Sequence, residues 1–193
     1  DGRLRDPERE PEAFRETEAG VVPNNWKVFR LDNLTTRFRN GTSAKQIKDQ
    51  TPYPVARIET ISSGKIDHES VRYHRTEQLD FRMQSGDILY SHINSTAHIG
   101  KVALYKGEQP LYHGMNLLIL RPDSNEIHPR VLYEILASQR GRRHARREAR
   151  PAVNQDSLTQ DGVGSFPVQV PPSEEQKRIL ERLDTERNRR VAD

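Results

Sequence analysis

The chain has 193 residues, a length that predicts one domain with an appended segment. Charged residues make up 31% and hydrophobic residues 33%, but the net charge is only +3, so overall charge does not indicate a nucleic-acid partner. The chain has no cysteine, which excludes disulfides, a cysteine-ligated metal site and a thiol nucleophile. No apolar run approaches the ~20 residues that cross a bilayer, so we expect a soluble protein. The absence of cysteine favours an intracellular, cytoplasmic chain.

The charge is unevenly distributed along the chain. Residues 1–25 contain seven acidic residues and four arginines, together with Pro7 and Pro11 and few apolar positions. This composition predicts an acidic linker or tail over residues 1–22. The body from residue 26 onward then carries a net charge of +6.

The first part of the body reads as short strands separated by polar turns. Residues 26–31 are partly alternating and predict a strand, after which Asp32 or Asn33 is expected to cap a short helix that runs to Phe38. A polar loop at 41–50 follows. Further strands are predicted within the runs 53–61, 88–93, 100–105, 111–113 and 116–121. So many short strands between polar loops indicate an irregular, coiled β-structure.

The hydrophobic period then changes to that of helices. Pro129 is expected to begin a helix that continues into an arginine-rich stretch and stops at Pro151. After an extended segment at 166–170, Ser173 and Gln176 fit a capping box that opens a second helix. One face of this second helix carries Ile179, Leu180 and Leu183, which predicts either a partner helix or core packing within the domain.

Catalytic signatures are missing from the sequence. It contains no phosphate-binding P-loop, no glycine-rich dinucleotide fingerprint and no Asn-Pro-Pro-aromatic loop of amino-methylating enzymes. His92, His98 and His113 could in principle ligate a metal, but they fall on separate predicted elements without supporting carboxylates. We therefore predict no catalytic residue and no metal site in this chain.

Positive charge is concentrated between residues 140 and 150, where six arginines face one acid. On a helix, Arg142, Arg146 and Arg150 would stack at intervals of four, with Arg143 and Arg147 beside them. Such a stripe predicts contact with a phosphate backbone. The alternatives are a solvated helix face or one paired with acids elsewhere. Arg57 and Lys101 are the remaining phosphate candidates.

Two polar loops carry side chains suited to base edges in the major groove. Thr42, Lys45 and Lys48 represent the first loop. The candidates of the second loop are His92, Asn94, Ser95, Thr96 and His98. Ordinary surface loops have similar composition, so these residues are hypotheses based on residue type and predicted position.

The order of several segments resembles that of a known family. These segments are PNNWKVFRLDNL (23–34), TPYPVARIETISSGKID (51–67), SGDILYSHINSTAHIGKVAL (85–104), NLLILRP (116–122) and VNQDSLTQDGVGSFPVQVPPSEEQKRILERLD (153–184). Together they resemble one target-recognition domain of type I restriction-modification DNA specificity subunits, followed by the start of the spacer helix. Gly-Asp-Ile-Leu at 86–89 and Pro-Pro-x-x-Glu-Gln at 171–176 are the most specific parts.

The resemblance implies an α+β fold. A recognition domain with coiled β-structure and a helical region would occupy residues 23–170, and residues 171–193 would begin a coiled-coil spacer helix. It also implies a non-catalytic subunit that recognises double-stranded DNA and binds a modification methyltransferase subunit, and in restricting complexes a nuclease subunit. S-adenosylmethionine, and ATP where restriction occurs, would belong to those partners, in the cytoplasm of a bacterium or archaeon.

The sequence departs from the family pattern in three respects. It has one recognition domain where full-length members usually carry two, so it is either a half-subunit that pairs with a second copy or a fragment. It has Pro151-Ala152 where the family often has glycine, and His92 where the family often has arginine. Two other functions stay open: the recognition region of a fused methyltransferase-endonuclease, and an interaction module for an acidic protein.

Overall fold

A computed structural model describes residues 6–95, 98–152 and 155–192. Its strands are short. They are β1 Phe14–Thr17, β2 Gly20–Pro23, β3 Lys27–Arg30, β4 Thr35–Asn40, β5 Pro54–Ala56, β6 Arg72–Tyr73, β7 Ile88–Ser91, β8 Ile93–Asn94, β9 Val102–Leu104, β10 Tyr112–His113, β11 Leu117–Pro122, β12 Arg150–Ala152, β13 Gln155–Ser157 and β14 Pro167–Val170.

The α-helices lie mostly in the second half of the chain. They are α1 Pro129–Ala137, α2 Gln139–Glu148, α3 Gln160–Gly164 and α4 Ser173–Ala192, and 3-10 turns occur at Pro11–Ala13, Asp32–Leu34, Glu59–Ile61 and Leu79–Phe81. Several small sheets combined with a helical region confirm the predicted α+β class and its irregular β-structure.

A four-stranded antiparallel sheet in the order β4-β11-β7-β9 forms the centre of the fold. Its inner strands are buried on both faces. Because successive side chains point to opposite faces, Leu118 and Leu120 pack into one hydrophobic cluster while Leu117 and Ile119 pack into another. The first cluster is completed by α1, α2 and β14, and the second by β5 and the 3-10 turn at Glu59–Ile61.

The short helix predicted to run to Phe38 is wrong beyond its first turn. A 3-10 turn covers Asp32–Leu34, and the chain then enters β4. Arg37, Phe38 and Arg39 pair with consecutive residues of β11 in the central sheet. The local capping signal is therefore overridden by pairing with a strand about 80 residues later in the chain.

The segment predicted to be a tail contains an ordered β-hairpin. Strands β1 and β2 pair over four residues, and Val22 is fully buried. The side-chain amide of Gln169 in β14 donates to the carbonyl of Ala19 at 2.9 Å, and the Arg15 guanidinium donates to the carbonyl of Trp26 at 2.6 Å. High charge density did not prevent folding, because the strands pair with each other and Ala19 and Val22 are buried, although Val21 is exposed.

The single helix predicted from Pro129 to Pro151 is also wrong, because the chain breaks at Ser138. There the Ser138 hydroxyl donates to the carbonyl of Ile135 and accepts from the amide of Gly141, which begins α2 on a new axis. A Cβ at Gly141 would lie 2.3 Å from the carbonyl oxygen of Leu136, so the turn requires glycine. Helix α2 ends at Glu148, and Pro151 lies in β12.

The two most specific sequence motifs have structural roles. Gly86 has a φ of +94° and lies against Pro129 at the start of α1. Asp87 is 1% exposed and accepts two hydrogen bonds from Arg121 of β11, at 2.7 and 2.8 Å. In the second motif, the Gln176 side chain donates to the carbonyls of Glu126 and Pro171.

The predicted capping box at Ser173 and Gln176 is wrong, because the backbone amide of Gln176 donates to the carbonyl of Pro172 at 3.0 Å. The Oε1 atom of Gln176 accepts a hydrogen bond from the backbone of His128 at 2.7 Å instead of returning to the start of its own helix. Gln176 therefore joins α4 to the segment that precedes α1.

We predict that Asp87→Ala lowers the free energy of unfolding by about 3 kcal/mol. The substitution leaves Arg121 without its buried partner and the amide of Gln84 without its acceptor. Urea titration of the variant measures the change. Glu108→Ala, in an exposed turn at the same end of the sheet, is the control and is expected within about 0.5 kcal/mol of the unsubstituted chain. Equal stability of the two variants would contradict the assigned role.

Candidate nucleic-acid interface

Several loops converge at one end of the central sheet. Here β4 ends at Asn40, β7 ends at Ser91, β11 begins at Leu117 and β9 begins at Val102, as the pairing registers require. Strand β5 ends beside them, because the carbonyl of Ala56 accepts from the amide of Gly114. We define the loop face as residues 41–43, 57, 91–95, 98–101 and 114–116 together with the adjoining segment 143–150.

The first polar loop begins at this face but does not stay there. Thr42 is 3% exposed, and its hydroxyl accepts a hydrogen bond from the amide of Ala44. Its side chain therefore stabilises the turn and is not accessible to a DNA base. Beyond it, Ile47 pairs with Tyr73 of β6. Lys45 and Lys48 are exposed on this flank, and their predicted base contacts stay predictions.

The second polar loop lies in the middle of the loop face. His92 is 4% exposed, which argues against its predicted contact with a base. Ser95 is exposed and His98 half-buried, and the carbonyl of Ser95 accepts from the amide of His98. The backbone of Asn94 pairs with Asp156 in β13, whereas its side chain and the whole of Thr96 lie outside the described residues.

Helix α2 passes directly over this loop. A Cβ at Gly100 would lie 2.4 Å from the Cβ of Ala145, so the loop and the helix are in close contact there. The chain continues from α2 into β12, which joins β13 and β8 in one sheet. The structure therefore brings the arginine-rich segment and the second polar loop together, although the sequence places them about 50 residues apart.

The basic side chains near the loop face differ in their freedom to bind phosphate. Arg143, Arg146 and Arg150 are exposed, and none of them forms an ion pair with a carboxylate in the part of the chain that the structure describes. Arg150 opens β12, so it does not extend a helical stripe as predicted.

Other predicted phosphate contacts are already engaged within the domain. Arg142 is half-buried and donates to the carbonyl of Ala137 at 3.4 Å, and Lys101 donates to the carbonyl of Ser62. Arg57 and Arg147 pair with Glu59 and Glu148, at 3.3 and 3.1 Å.

Neither a metal cluster nor a membrane span occurs in the described ranges 6–95, 98–152 and 155–192. No group of three or more histidine, aspartate or glutamate side chains there has the geometry of a metal site. None of the helices within those ranges is long and apolar enough to cross a bilayer.

The apolar residues of α4 face their own domain. Leu180 packs against the hydrophobic cluster that contains α1. Ile179 and Leu183 are half-buried and line a groove with Trp26, Val131 and Ile135. Core packing thus accounts for Leu180, and the predicted contact with a partner helix stays a prediction for Ile179 and Leu183.

The comparison with protein families decides the family of this chain. Residues 23–190 match the family described as type I restriction modification DNA specificity domain. The chain belongs to this family. The match includes the central sheet, the loop face and most of α4.

Individual relatives agree with this assignment. The Methanocaldococcus jannaschii protein named as the type I restriction enzyme MjaX specificity subunit is 44% identical over 177 residues, which cover 89% of this chain and 42% of the relative. A solved chain of a type I R-M system superposes with a TM-score of 0.66 at 19% identity, covering 96% of this chain and 44% of that one. The HsdS subunit from Thermoanaerobacter tengcongensis superposes with a TM-score of 0.60 at 18% identity. The superposition covers 88% of this chain and 44% of that subunit. The chain thus spans less than half the length of each of these three proteins.

Sequence reasoning missed the turn between β10 and β11, which lies in the middle of the loop face. Met115 and Asn116 are exposed there between two fully buried runs at 111–114 and 117–120. The available signal was the sequence Gly-Met-Asn between two apolar runs, which is typical of a turn but carries no charge cluster.

Two histidines near the loop face are buried as neutral side chains. Burial lowers the pKa of His92 to about 4, and it also lowers the pKa of His113 to about 4. The Nδ1 atom of His113 donates to the carbonyl of Phe81 at 3.2 Å. Neither side chain therefore offers the loop face a positive charge at neutral pH.

We predict that the free energy of unfolding decreases as the pH falls from 6.5 to 5. The unfolded chain takes up a proton on each histidine near pH 6.5, whereas the folded chain does so only near pH 4, so acidification favours unfolding. The slope approaches about 1.4 kcal/mol per pH unit for each histidine. Urea titrations across this range measure it.

The double variant His92→Asn with His113→Asn should flatten this dependence, and its curve should run parallel to that of the unsubstituted chain above pH 7. An unchanged slope in the double variant would show that these two histidines are not the cause.

Proposed function

We propose that this chain is a non-catalytic, sequence-specific DNA-recognition module that directs a modification methyltransferase to its site. One observation carries the proposal: the start of the first polar loop, the second polar loop, the β10–β11 turn and the exposed arginines of α2 and β12 converge on one end of one sheet. Side chains that can read base edges and side chains that can neutralise phosphates thus share a surface, as recognition of duplex DNA requires.

We assign phosphate contacts and base contacts according to the solvent exposure of the side chains. Arg143, Arg146 and Arg150 would hold the phosphate backbone, since they are exposed and make no ion pair with a described carboxylate. Ser95 and His98 of the second loop would approach base edges. Phosphate contacts of this kind fix the position of the protein on the duplex, while base contacts supply the sequence preference.

The proposed partners follow from the family. The chain would bind double-stranded DNA and a modification methyltransferase subunit, and where restriction occurs a nuclease subunit as well. S-adenosylmethionine and ATP would be bound by those subunits. A second recognition domain, in a longer polypeptide or in a second copy of the chain, would read the other half of the site.

The sequence preference can be tested by exchanging the domain. Residues 14–170, which include the ordered hairpin, are transferred into the matching region of a related specificity subunit, and the methylated adenines of a host genome are mapped. We expect one half of the methylated motif to change to a new sequence. A reciprocal exchange of residues 173–189 is the control and should leave the bases of that half unchanged. An unchanged motif after the first exchange would contradict the proposal.

The phosphate contacts are tested by the salt dependence of DNA affinity. The double variant Arg143→Ala with Arg146→Ala is measured in the assembled methyltransferase complex. It should flatten the slope of log affinity against log salt by about one to two units, because the DNA releases about one counterion fewer for each phosphate contact that is lost. The matched control removes two exposed charges elsewhere, Arg9→Ala with Lys106→Ala. Equal slopes for the two double variants would mean that the arginines of α2 do not contact DNA.

A further inference from the structure

We propose that the turn formed by Met115 and Asn116 reads an A·T base pair in the recognised half-site. This inference rests on the proposed function and adds to it a reading element outside the two polar loops. Among the described residues, three large hydrophobic side chains are prominently exposed: Val21, Leu79 and Met115. Of these three, Met115 lies on the loop face.

The turn occupies a central position on the loop face. It begins β11, which lies between β4 and β7 in the central sheet. Leu117, the first residue after the turn, pairs with Ser91, where the second polar loop starts. Thr42 bridges to Gly114 on the other side. A duplex bound across this face would therefore meet the turn between the two loops.

The backbone of the turn is held from both sides. The amide of Gly114 donates to the carbonyl of Ala56 at 3.1 Å, and its carbonyl accepts from Leu117 at 3.2 Å. A Cβ at Gly114 would lie 2.5 Å from the Ala56 carbonyl oxygen, and one at Gly41 would lie 2.2 Å from the Gly114 carbonyl oxygen. Since three chain segments meet without space for a side chain, the turn has little freedom to lose on binding.

The two exposed side chains match the chemistry of an A·T pair in the major groove. An asparagine amide can donate to N7 and accept from the N6 amino group of adenine, and an apolar side chain can pack on the C5 methyl group of thymine. The Met115 side chain is 51% exposed, so its apolar atoms are available for such a contact. Together they present one hydrogen-bonding and one apolar contact on adjacent residues.

The test uses the full chain assembled with its methyltransferase and DNA containing the methylated motif. Asn116→Ala is expected to lower affinity for the cognate duplex about 10-fold and to relax one A·T position of the motif. Met115→Ala is expected to lower affinity for the cognate duplex about 3-fold or more and to relax the same A·T position. Neither substitution removes a charge, so the slope of log affinity against log salt should not change.

Matched controls come from residues outside the loop face. Val21→Ala removes an apolar side chain that is also 51% exposed, and Gln109→Ala removes an exposed amide. Both should leave affinity and motif unchanged. Thermal unfolding of every variant checks the fold, and all midpoints should agree because the substituted side chains are exposed.

The results distinguish failure of the turn as a base-reading element from failure of the proposed DNA recognition. If the turn variants keep affinity within twofold and the motif unchanged, while Arg143→Ala with Arg146→Ala flattens the salt slope, the turn does not read DNA but the proposed function stands. If the relaxed position is G·C, the assigned base chemistry is wrong. If neither the turn nor the arginine variants alter DNA binding, the proposed function fails as well.

Discussion

The architecture depends on the buried ion pair between Asp87 and Arg121. Asp87 precedes β7 and Arg121 lies near the end of β11, so their two hydrogen bonds fix the register in which Ile88 faces Leu120. Because successive residues of a strand point to opposite faces, a slip by one residue would exchange the two hydrophobic clusters. The same register places Ser91 opposite Leu117 at the far end, which aligns the second polar loop with the β10–β11 turn. A constraint at one end of the sheet thus sets the geometry of the proposed binding face at the other.

Close backbone contacts complete this arrangement. Glycines at 41, 100, 114 and 141 stand where an added Cβ would lie within about 2.5 Å of a neighbouring atom. Gly141 redirects the chain from α1 into α2, and Gly100 lets α2 approach the second polar loop at Ala145. The exposed arginines reach the loop face through these two contacts. Arg140 differs from these exposed arginines. Its guanidinium lies over the ring of Phe166, 4.9 Å from the ring centroid, and burial lowers its pKa.

Sequence patterns predicted those elements whose signal is local. The strands around 88–91 and 117–122, the start of α1 at Pro129 and the extended segment at 167–170 are confirmed. The errors arise where distant contacts dominate: residues 35–38 pair with β11, the N-terminal hairpin packs against β14, and Gln176 bonds to His128. For the candidate interface, residue type selected the polar loops and the arginine segment as hypotheses. It did not distinguish exposed side chains from Thr42 and His92, because burial is decided by the tertiary fold.

The central claim is that one end of the sheet contacts DNA, and hydrogen–deuterium exchange of the assembled complex tests it most directly. Exchange is compared with and without a duplex that carries the methylated motif. The account predicts slower exchange in residues 91–95, 98–101, 114–116 and 143–150, and unchanged exchange in the turns at 84–87 and 106–110 at the opposite end. Protection confined to those opposite turns, with the loop face unaffected, would contradict it.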